Sequence, residues 1–519
     1  MGHAAGIVAA ALLGALAARV AWPTYLLAWV ELVPWLLVLD RTTSWGGVLA
    51  SGAAMAVAFC VAVFSWFPPA IADYAGVPVG IVAAIALVAS PVFQPQFVVF
   101  ALVRHAARRR GLRDAWTVIA GAGAYVGAEW AIPKLFGDTL GMSLLPSAVL
   151  RQAADLSGPA ALTLIVVLVN QDVAAAIGAA RRRDRGGVAR ALGGAAAAIA
   201  SLALYGHFRL ASLADLPTDP PFTVGIVQAD VAHYDRLAAE IGTYAAVRRI
   251  LDAHFALSDE IIARGPVDLL VWPETVYPTT FGSPKSADGA AFDRAIGALV
   301  AKTGRPLVFG SYDAENGREY NAAVFLEPAG GDDVTYASYR KTSLFPLTER
   351  VPAWLDGPRT RAWLPWLGSW QPGAGSPVVD VHVGGRTIRV APLVCYDAVD
   401  ERNVARAVRA GARLIVTLSN DSWLADGAGA ELHFIVSAFR SIETRRPQVR
   451  ATTTGISAVV TPVGEVVASA GIHERAGLVA SVAPVRDVLP LAVRWGNWMG
   501  PAGSVLALAI LVTGRRKRE

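Results

Sequence analysis

Long apolar runs fill the chain up to about Phe208 and return after Pro501, while the stretch between them mixes charged and apolar positions as a globular domain does. A bilayer crossing takes roughly 20 predominantly apolar residues. On that measure the first part predicts helices at about 4–20, 25–39, 46–66, 79–103, 116–132, 159–180 and 188–207. The last part adds one at 502–512, extendable through 498–501, giving about eight spans. From Phe222 to about Pro484 the period changes. Short apolar runs predict strands at 222–228, 267–272, 306–312, 321–326, 334–339, 378–382, 387–394, 414–418 and 458–467. Apolar residues three and four apart predict helices over 236–264, 290–303 and 402–412. Strands alternating with helices imply a layered α/β domain. The expected division is a membrane domain at 1–215 with about seven spans, an α/β domain at 216–488, and a last span with a basic tail at 489–519.

Composition agrees with that division. The chain is 54% hydrophobic and 17% charged, with a mean hydropathy of +0.45, too apolar for an ordinary soluble enzyme. The N-terminal run lacks the basic start of a signal peptide and is followed by further spans. A net charge of +5 invites a nucleic-acid reading, but the basic residues border apolar spans, where they act as a topology signal. Arg104, Arg108, Arg109, Arg110 and Arg113 follow the fourth span, Arg181, Arg182, Arg183, Arg185 and Arg190 separate the sixth from the seventh, and Arg515, Arg516, Lys517 and Arg518 close the chain. All three clusters fall on one side of an eight-span arrangement, the cytoplasmic side, while Arg19, Lys134 and Arg151 fall singly on the other. The α/β domain is then expected outside the cytoplasm. Gly121-Ala-Gly123 lies inside an apolar span, so close helix packing explains it better than a dinucleotide site.

Candidate chemistry sits where strand-like runs end. Ala391-Pro-Leu-Val-Cys395 ends at a thiol, Val271-Trp-Pro-Glu274 at a carboxylate, and the run before Tyr339-Arg-Lys341 at a cation. Alone, each fits ordinary use: a buried structural cysteine, a solvated acid, a solvated base. Together they suggest thiol acyl chemistry. A thiol attacks a carbonyl as thiolate, and at an unperturbed pKa of about 8.5 it needs a base, a role open to Glu274. The oxyanion that follows could be met by Lys341 and by the backbone N–H of Tyr396. The chain has two cysteines, and Cys60 lies in an apolar run, so a disulfide framework is not in question. The eight histidines lack zincin spacing and there is no G-x-S-x-G elbow. No metal or cofactor is expected. Trp354, Trp363, Trp366 and Trp370 crowd the loop after Lys341 and fit either loop packing or a lipid interface.

Trp272-Pro-Glu274, a lysine segment and Cys395-Tyr-Asp397 together resemble the Glu-Lys-Cys pattern of the nitrilase, or carbon–nitrogen hydrolase, superfamily. Eight spans around such a domain resemble the bacterial apolipoprotein N-acyltransferases. Ala28-Trp-Val30 with Pro34, Glu129-Trp130 and Asn170 look like segments of that family, and Asn420-Asp-Ser-Trp423, His433, Arg440, Glu443, Arg450 and Thr454-Gly-Ile-Ser457 follow its distal pattern. The resemblance implies an α/β/β/α sandwich with Glu274 as general base, Lys341 as oxyanion stabiliser, Cys395 as nucleophile, and Glu349, Tyr396 and Asp397 in support. It implies an inner-membrane enzyme that takes an acyl chain from a phospholipid as a thioester. The acceptor would be the N-terminal amine of an apolipoprotein's lipidated cysteine, with membrane lipids and no nucleic acid as partners. The chain departs from the pattern at Thr348, Asp397, Ala229-Asp230 and Thr453, where Gly, Glu, Gly-Asn and Asn are usual. These changes bear on substrate preference. An amidase, an acyltransferase with another amine acceptor, or a catalytically inactive transporter or sensor are the alternatives.

Overall fold

The computed structural model describes residues 2–132, 134–231, 234–375, 378–424 and 427–514, apart from the side chain of Asp235. The four basic residues at 515–518 lie outside the described residues. The chain forms two units, one of Met1–Asp215 with Pro490–Glu519 and one of Leu216–Leu489.

The first unit is helical. Trp45–Val63, Ala160–Arg181 and Arg185–Leu213 are long and apolar enough to cross a membrane, and Val79–Phe93 with Pro95–Arg109 make a fourth if the pair is one span. That pair is bent by 44°, where Pro95 opens the second helix. Proline supplies no N–H to continue the ladder of the helix before it. The second expected span is also broken, into a 3-10 turn at Thr24–Trp29 and the helix Val33–Leu39 with Pro34 in its first turn. His3–Ala17 and Met499–Thr513 are apolar but short, so length and composition establish fewer than eight spans. The glycine pair in Asp114–Ala131 serves packing. A Cβ on Gly123 would come within 2.7 Å of the Gly503 carbonyl oxygen, so this helix and Met499–Thr513 meet backbone to backbone.

In the second unit, thirteen strands occur among the described residues: β1 Phe222–Gln228, β2 Leu269–Val271, β3 Tyr277–Thr280, β4 Leu307–Glu315, β5 Arg318–Gly330, β6 Asp333–Arg340, β7 Val379–Val383, β8 Arg386–Val394, β9 Leu414–Ser419, β10 Gln448–Thr452, β11 Ser457–Val460, β12 Val466–Ala470 and β13 Ala476–Val482. One sheet has the order β13-β1-β2-β4-β5-β6 with β3 beside β4, and the other β12-β11-β10-β9-β8-β7. Alternation along each strand sorts side chains between two layers. Ile226, Val271, Val308 and Phe325 of the first sheet share one core with Val390, Leu414, Val416 and Val449 of the second. Their neighbours Val227, Leu270, Phe309 and Val324 instead pack against Ile250, Leu251 and Ile261 of the helix Thr243–Ala263 and Ile296 and Val300 of Ala287–Thr303. Glu401–Arg409 and Ala428–Thr444 follow on the second sheet, and Gln448 donates from β10 to Ser437 at 3.0 Å. The result is an α/β/β/α sandwich.

Beyond β3, β10, β13 and the helix Ala428–Thr444, which were not expected, two expected elements are divided. The helix at 236–264 is two, Tyr234–Ile241 and Thr243–Ala263, because Gly242 between them sits at φ 87°. The strand at 458–467 is a hairpin of β11 and β12, turned at Gly464 with φ 83°. Of the loop tryptophans, Trp354 and Trp363 are exposed, while Trp370 packs on Tyr312 with ring centroids 4.7 Å apart.

Candidate active site

Four strand ends meet at one place. β2 runs out through Trp272 and Pro273 to Glu274, β6 ends immediately before Lys341, β8 immediately before Cys395, and β9 immediately before Asn420. The first two belong to one sheet and the last two to the other. Gly310 on β4 lets the first end fit, since a Cβ there would sit 2.5 Å from the Glu274 Cα.

Glu274 is buried. Its Oε1 accepts from Asn321 Nδ2 at 2.7 Å and from Lys341 Nζ at 3.5 Å, and its Oε2 accepts from the Asn420 backbone N–H at 2.6 Å. Burial raises its pKa above the usual carboxylate range, against the pull of Lys341. Lys341 is only 1% exposed and donates to Glu349 Oε1 at 2.7 Å. Burial works against its charge, but Glu349, Cys395 and Glu274 outweigh that and hold the ammonium charged. Glu349 is fixed in turn, its Oε2 accepting the Phe345 N–H at 2.7 Å.

Cys395 leaves β8 with φ 49°, a left-handed conformation uncommon outside glycine. That turn brings the thiol out of the sheet, partly buried and free of any disulfide, against the edge of the inter-sheet core. Burial and then the charge of Glu274 push its pKa up, with Lys341 opposing, so the resting group is the thiol. The backbone strain is held from the second sheet. His433 Nε2 donates to the Cys395 carbonyl at 3.2 Å, and His433 Nδ1 lies 2.8 Å from Asp421 Oδ1. Asp421 is also bound by Ser419 Oγ at 2.7 Å and Arg450 Nη2 at 2.9 Å. Although burial opposes it, Arg450 and His433 hold the Asp421 carboxyl well below the usual range.

The remaining expected residues buttress these groups. Asp397 acts through hydrogen bonds to the turns on either side. Its carboxylate accepts from Tyr339 Oη at 2.9 Å and from the backbone N–H groups of Val394 at 3.0 Å, Thr342 at 3.1 Å and Ser343 at 2.7 Å. It thus ties the exit of β6 to the exit of β8, and burial pushes its pKa up to about 6. The Tyr396 ring packs edge-on to Phe345 at 5.0 Å, and Phe345 to Trp423 at 5.2 Å. Thr453 donates to the Asn420 side chain at 2.8 Å. Asn321 had no sequence signal, since an Asn within an apolar strand reveals nothing of which strand end it faces. Among the described residues, no cluster of three or more His, Cys, Asp or Glu side chains has the arrangement to hold a metal ion.

A buried acid, a buried cation and a thiol at the strand ends of an α/β/β/α sandwich define the class. The carbon-nitrogen hydrolase family model matches residues 223–486. The helical part is matched as well, by the apolipoprotein N-acyltransferase N-terminal domain over residues 9–171. Three proteins named apolipoprotein N-acyltransferase are similar along most of the chain. That of Gloeobacter violaceus is 29% identical over 79% of this chain and 73% of its own length. The relative from Caulobacter vibrioides is 30% identical over 73% and 71%, and that from Bradyrhizobium diazoefficiens 30% over 79% and 75%. The chain belongs to the apolipoprotein N-acyltransferase family of carbon–nitrogen hydrolases.

Proposed function

We propose that this chain moves an acyl group from a phospholipid to the N-terminal amine of an apolipoprotein through a thioester on Cys395. Glu274 takes the thiol proton as the sulfur attacks the ester carbonyl, and the Lys341 ammonium and the Tyr396 N–H meet the oxyanion. Collapse expels the lysophospholipid alkoxide, which recovers the proton from Glu274. The acceptor amine then attacks the thioester, Glu274 removes the amine proton, and the thiolate leaves and is reprotonated. Glu349 keeps Lys341 charged and in place, and Asp397 fixes the turn that carries the thiol.

The observation that carries this reading is the separation of roles around Lys341. Its tight partner is Glu349 at 2.7 Å, while Glu274 stands at 3.5 Å and is held by two other donors. That leaves Glu274 able to change protonation without breaking the lysine's principal ion pair. The test is mass spectrometry of the purified protein incubated with phospholipid alone. An acyl adduct on Cys395 that a peptide with a free N-terminal amine discharges supports the transferase. Equal decay with an N-blocked peptide would make water the acceptor and the chain an amidase-like hydrolase.

We further propose that the protein resides in the bacterial inner membrane with the sandwich on the extracytoplasmic side, as the arginine-rich segments support. A reporter fused after Arg185 should behave as cytoplasmic and one after Pro217 as extracytoplasmic. The same location for both would overturn the orientation.

A further inference from the structure

The helical unit holds a cavity whose charge pattern has no part in the proposed acyl transfer. It has a volume of about 370 Å³, at the C-terminal end of the helix Pro95–Arg109, and Asp40, Thr43, Arg104, His105, Arg108 and Arg109 line it. Arg104 is buried and grips Asp40 with both ends of its guanidinium, at 3.0 and 3.1 Å from Nη2 and 3.2 Å from Nε, and donates to Gln171 at 2.7 Å. Arg108 reaches the same carboxylate at 2.5 Å. One acid is therefore shared by two guanidiniums. Arg109 is exposed at the rim. Three arginines against one aspartate leave a surplus of two positive charges. His105 Nε2 is buried and, among the described residues, has no hydrogen-bond partner. Buried polar atoms are ordinarily paired, and an anion's oxygen would pair this one.

The mouth suits a lipid. Trp45, 47% exposed, sets its ring edge-on to His105 with centroids 4.7 Å apart, and Leu49 one turn further along its helix is 50% exposed. An exposed tryptophan leading into exposed apolar positions is the pattern of a headgroup-level boundary. Basic pockets between helices bind anionic headgroups.

We propose that this cavity binds a phosphate-type anion, with His105 Nε2 and the guanidiniums of Arg108 and Arg109 directed at its oxygens. The source is either the phosphodiester of an anionic lipid or free phosphate. The test uses the full chain in neutral detergent, with native mass spectrometry reading the retention of phosphatidylglycerol, phosphatidylcholine and inorganic phosphate. Phosphatidylglycerol should be retained over phosphatidylcholine. R109Q should weaken it about fivefold, since a membrane-surface arginine contributes about 1 kcal/mol and 1.4 kcal/mol is tenfold. H105F keeps a ring against Trp45 but removes the nitrogen, and should weaken binding by a similar factor. R110Q removes the same charge from a side chain that donates instead to the Val512 carbonyl, and should cost less than about twofold. Displacement by inorganic phosphate would support the site with free phosphate as its source, and lipid binding that phosphate does not disturb would support a headgroup. Equal retention of both lipids with no effect of phosphate overturns the proposal. So does R109Q or H105F binding like the parent, or R110Q losing as much as R109Q.

Discussion

Each unit of this protein buries one lysine between two carboxylates, and the two clusters are built differently. In the helical unit Lys134 holds Glu129 at 2.9 Å and Asp138 at 3.0 Å, both from its own stretch of chain, with Gln94 at 3.4 Å. In the sandwich Lys341 holds Glu349 tightly but Glu274, 67 residues away in sequence, at 3.5 Å. The cysteines differ in the same sense. Cys60 lies within the helix Trp45–Val63, lining a largely apolar cavity with Ser90, Gln94 and Asp138. Cys395 stands on a turn with positive φ. In the helical cluster both acids pair with the lysine at nearly equal reach through one oxygen each, so it is an ion cluster that ties together its own stretch of chain. The sandwich cluster leaves one acid with donors of its own and sets it near a thiol on a strained turn. Similar residue types thus meet in two different arrangements, and only the one in the sandwich has the separated roles that the proposed chemistry needs.

The sharpest way to break that comparison is to exchange the thiols. Cys395→Ala should abolish the acyl adduct, and Cys395→Ser should lose nearly all of it because a hydroxyl is far harder to ionise. Cys60→Ala should acylate like the parent. Adduct mass and transfer rate measure all three, and an active Cys395→Ala would end the thioester reading.

The next effect falls on the base. Glu274→Gln keeps its size and can still accept from Asn321 through its amide oxygen, although its NH2 then faces the Asn420 N–H, and it cannot take a proton. Acylation per folded molecule should fall by about 10²–10⁴-fold, with the protein still folded. The pH dependence follows from the raised pKa. Only ionised Glu274 is a base, so the rate should drop on the acid side at a pH above the roughly 4.3 of an exposed glutamate. An acid limb centred near 4 would take the role from Glu274.

The candidate residues were legible in the sequence because apolar runs stop at Glu274, Lys341 and Cys395, but that these ends meet was not, since they belong to two sheets that only the fold brings face to face. Boundaries inside the runs were less legible. The break at Gly242 and the turn at Gly464 interrupt apolar patterns whose period continues across them, so periodicity alone reads through. β3, β10 and β13 and the helix Ala428–Thr444 escaped for another reason. β10 carries Gln448, Arg450 and Thr452 into buried hydrogen bonds, so a central strand reads as polar. The same cause hid what His433 and Asn321 touch. Their partners are a distant backbone carbonyl and a distant carboxylate, which only the folded sheets bring near.

A third experiment addresses the helical cluster. Lys134→Met leaves Glu129 and Asp138 buried without their cation, which typically costs about 3–5 kcal/mol. Thermal unfolding in detergent should show a large drop, and E129Q/D138N placed on the Lys134→Met background should recover part of it. Recovery is expected because the loss lies in stranded charge rather than in lost packing. Residual transfer activity per folded molecule should stay near the parent's. Lys341→Met strands Glu349 and Glu274 and should lower stability too, but here activity per folded molecule should also be lost, at every temperature where the protein is folded. If Lys134→Met removed activity without affecting stability, the contrast between the two clusters would collapse.

The smallest effect concerns how Cys395 is held. His433 donates to the carbonyl of the residue whose φ is positive, and Asp421 with Arg450 fixes the imidazole. His433→Phe fills the space but removes the donor, so the turn relaxes toward commoner backbone angles and the thiol spends less time in line with the ester. A hydrogen bond of this kind contributes about 0.5–1.5 kcal/mol, which predicts roughly a two- to tenfold slower acylation with little change in the binding of phospholipid. His433→Gln offers an N–H at a similar reach and should restore part of the rate. The two variants separate positioning from packing: a purely structural histidine would lower stability in both and leave the rate per folded molecule equal. Rates that match the parent's in His433→Phe would mean that β8 and Asp397 hold the turn unaided.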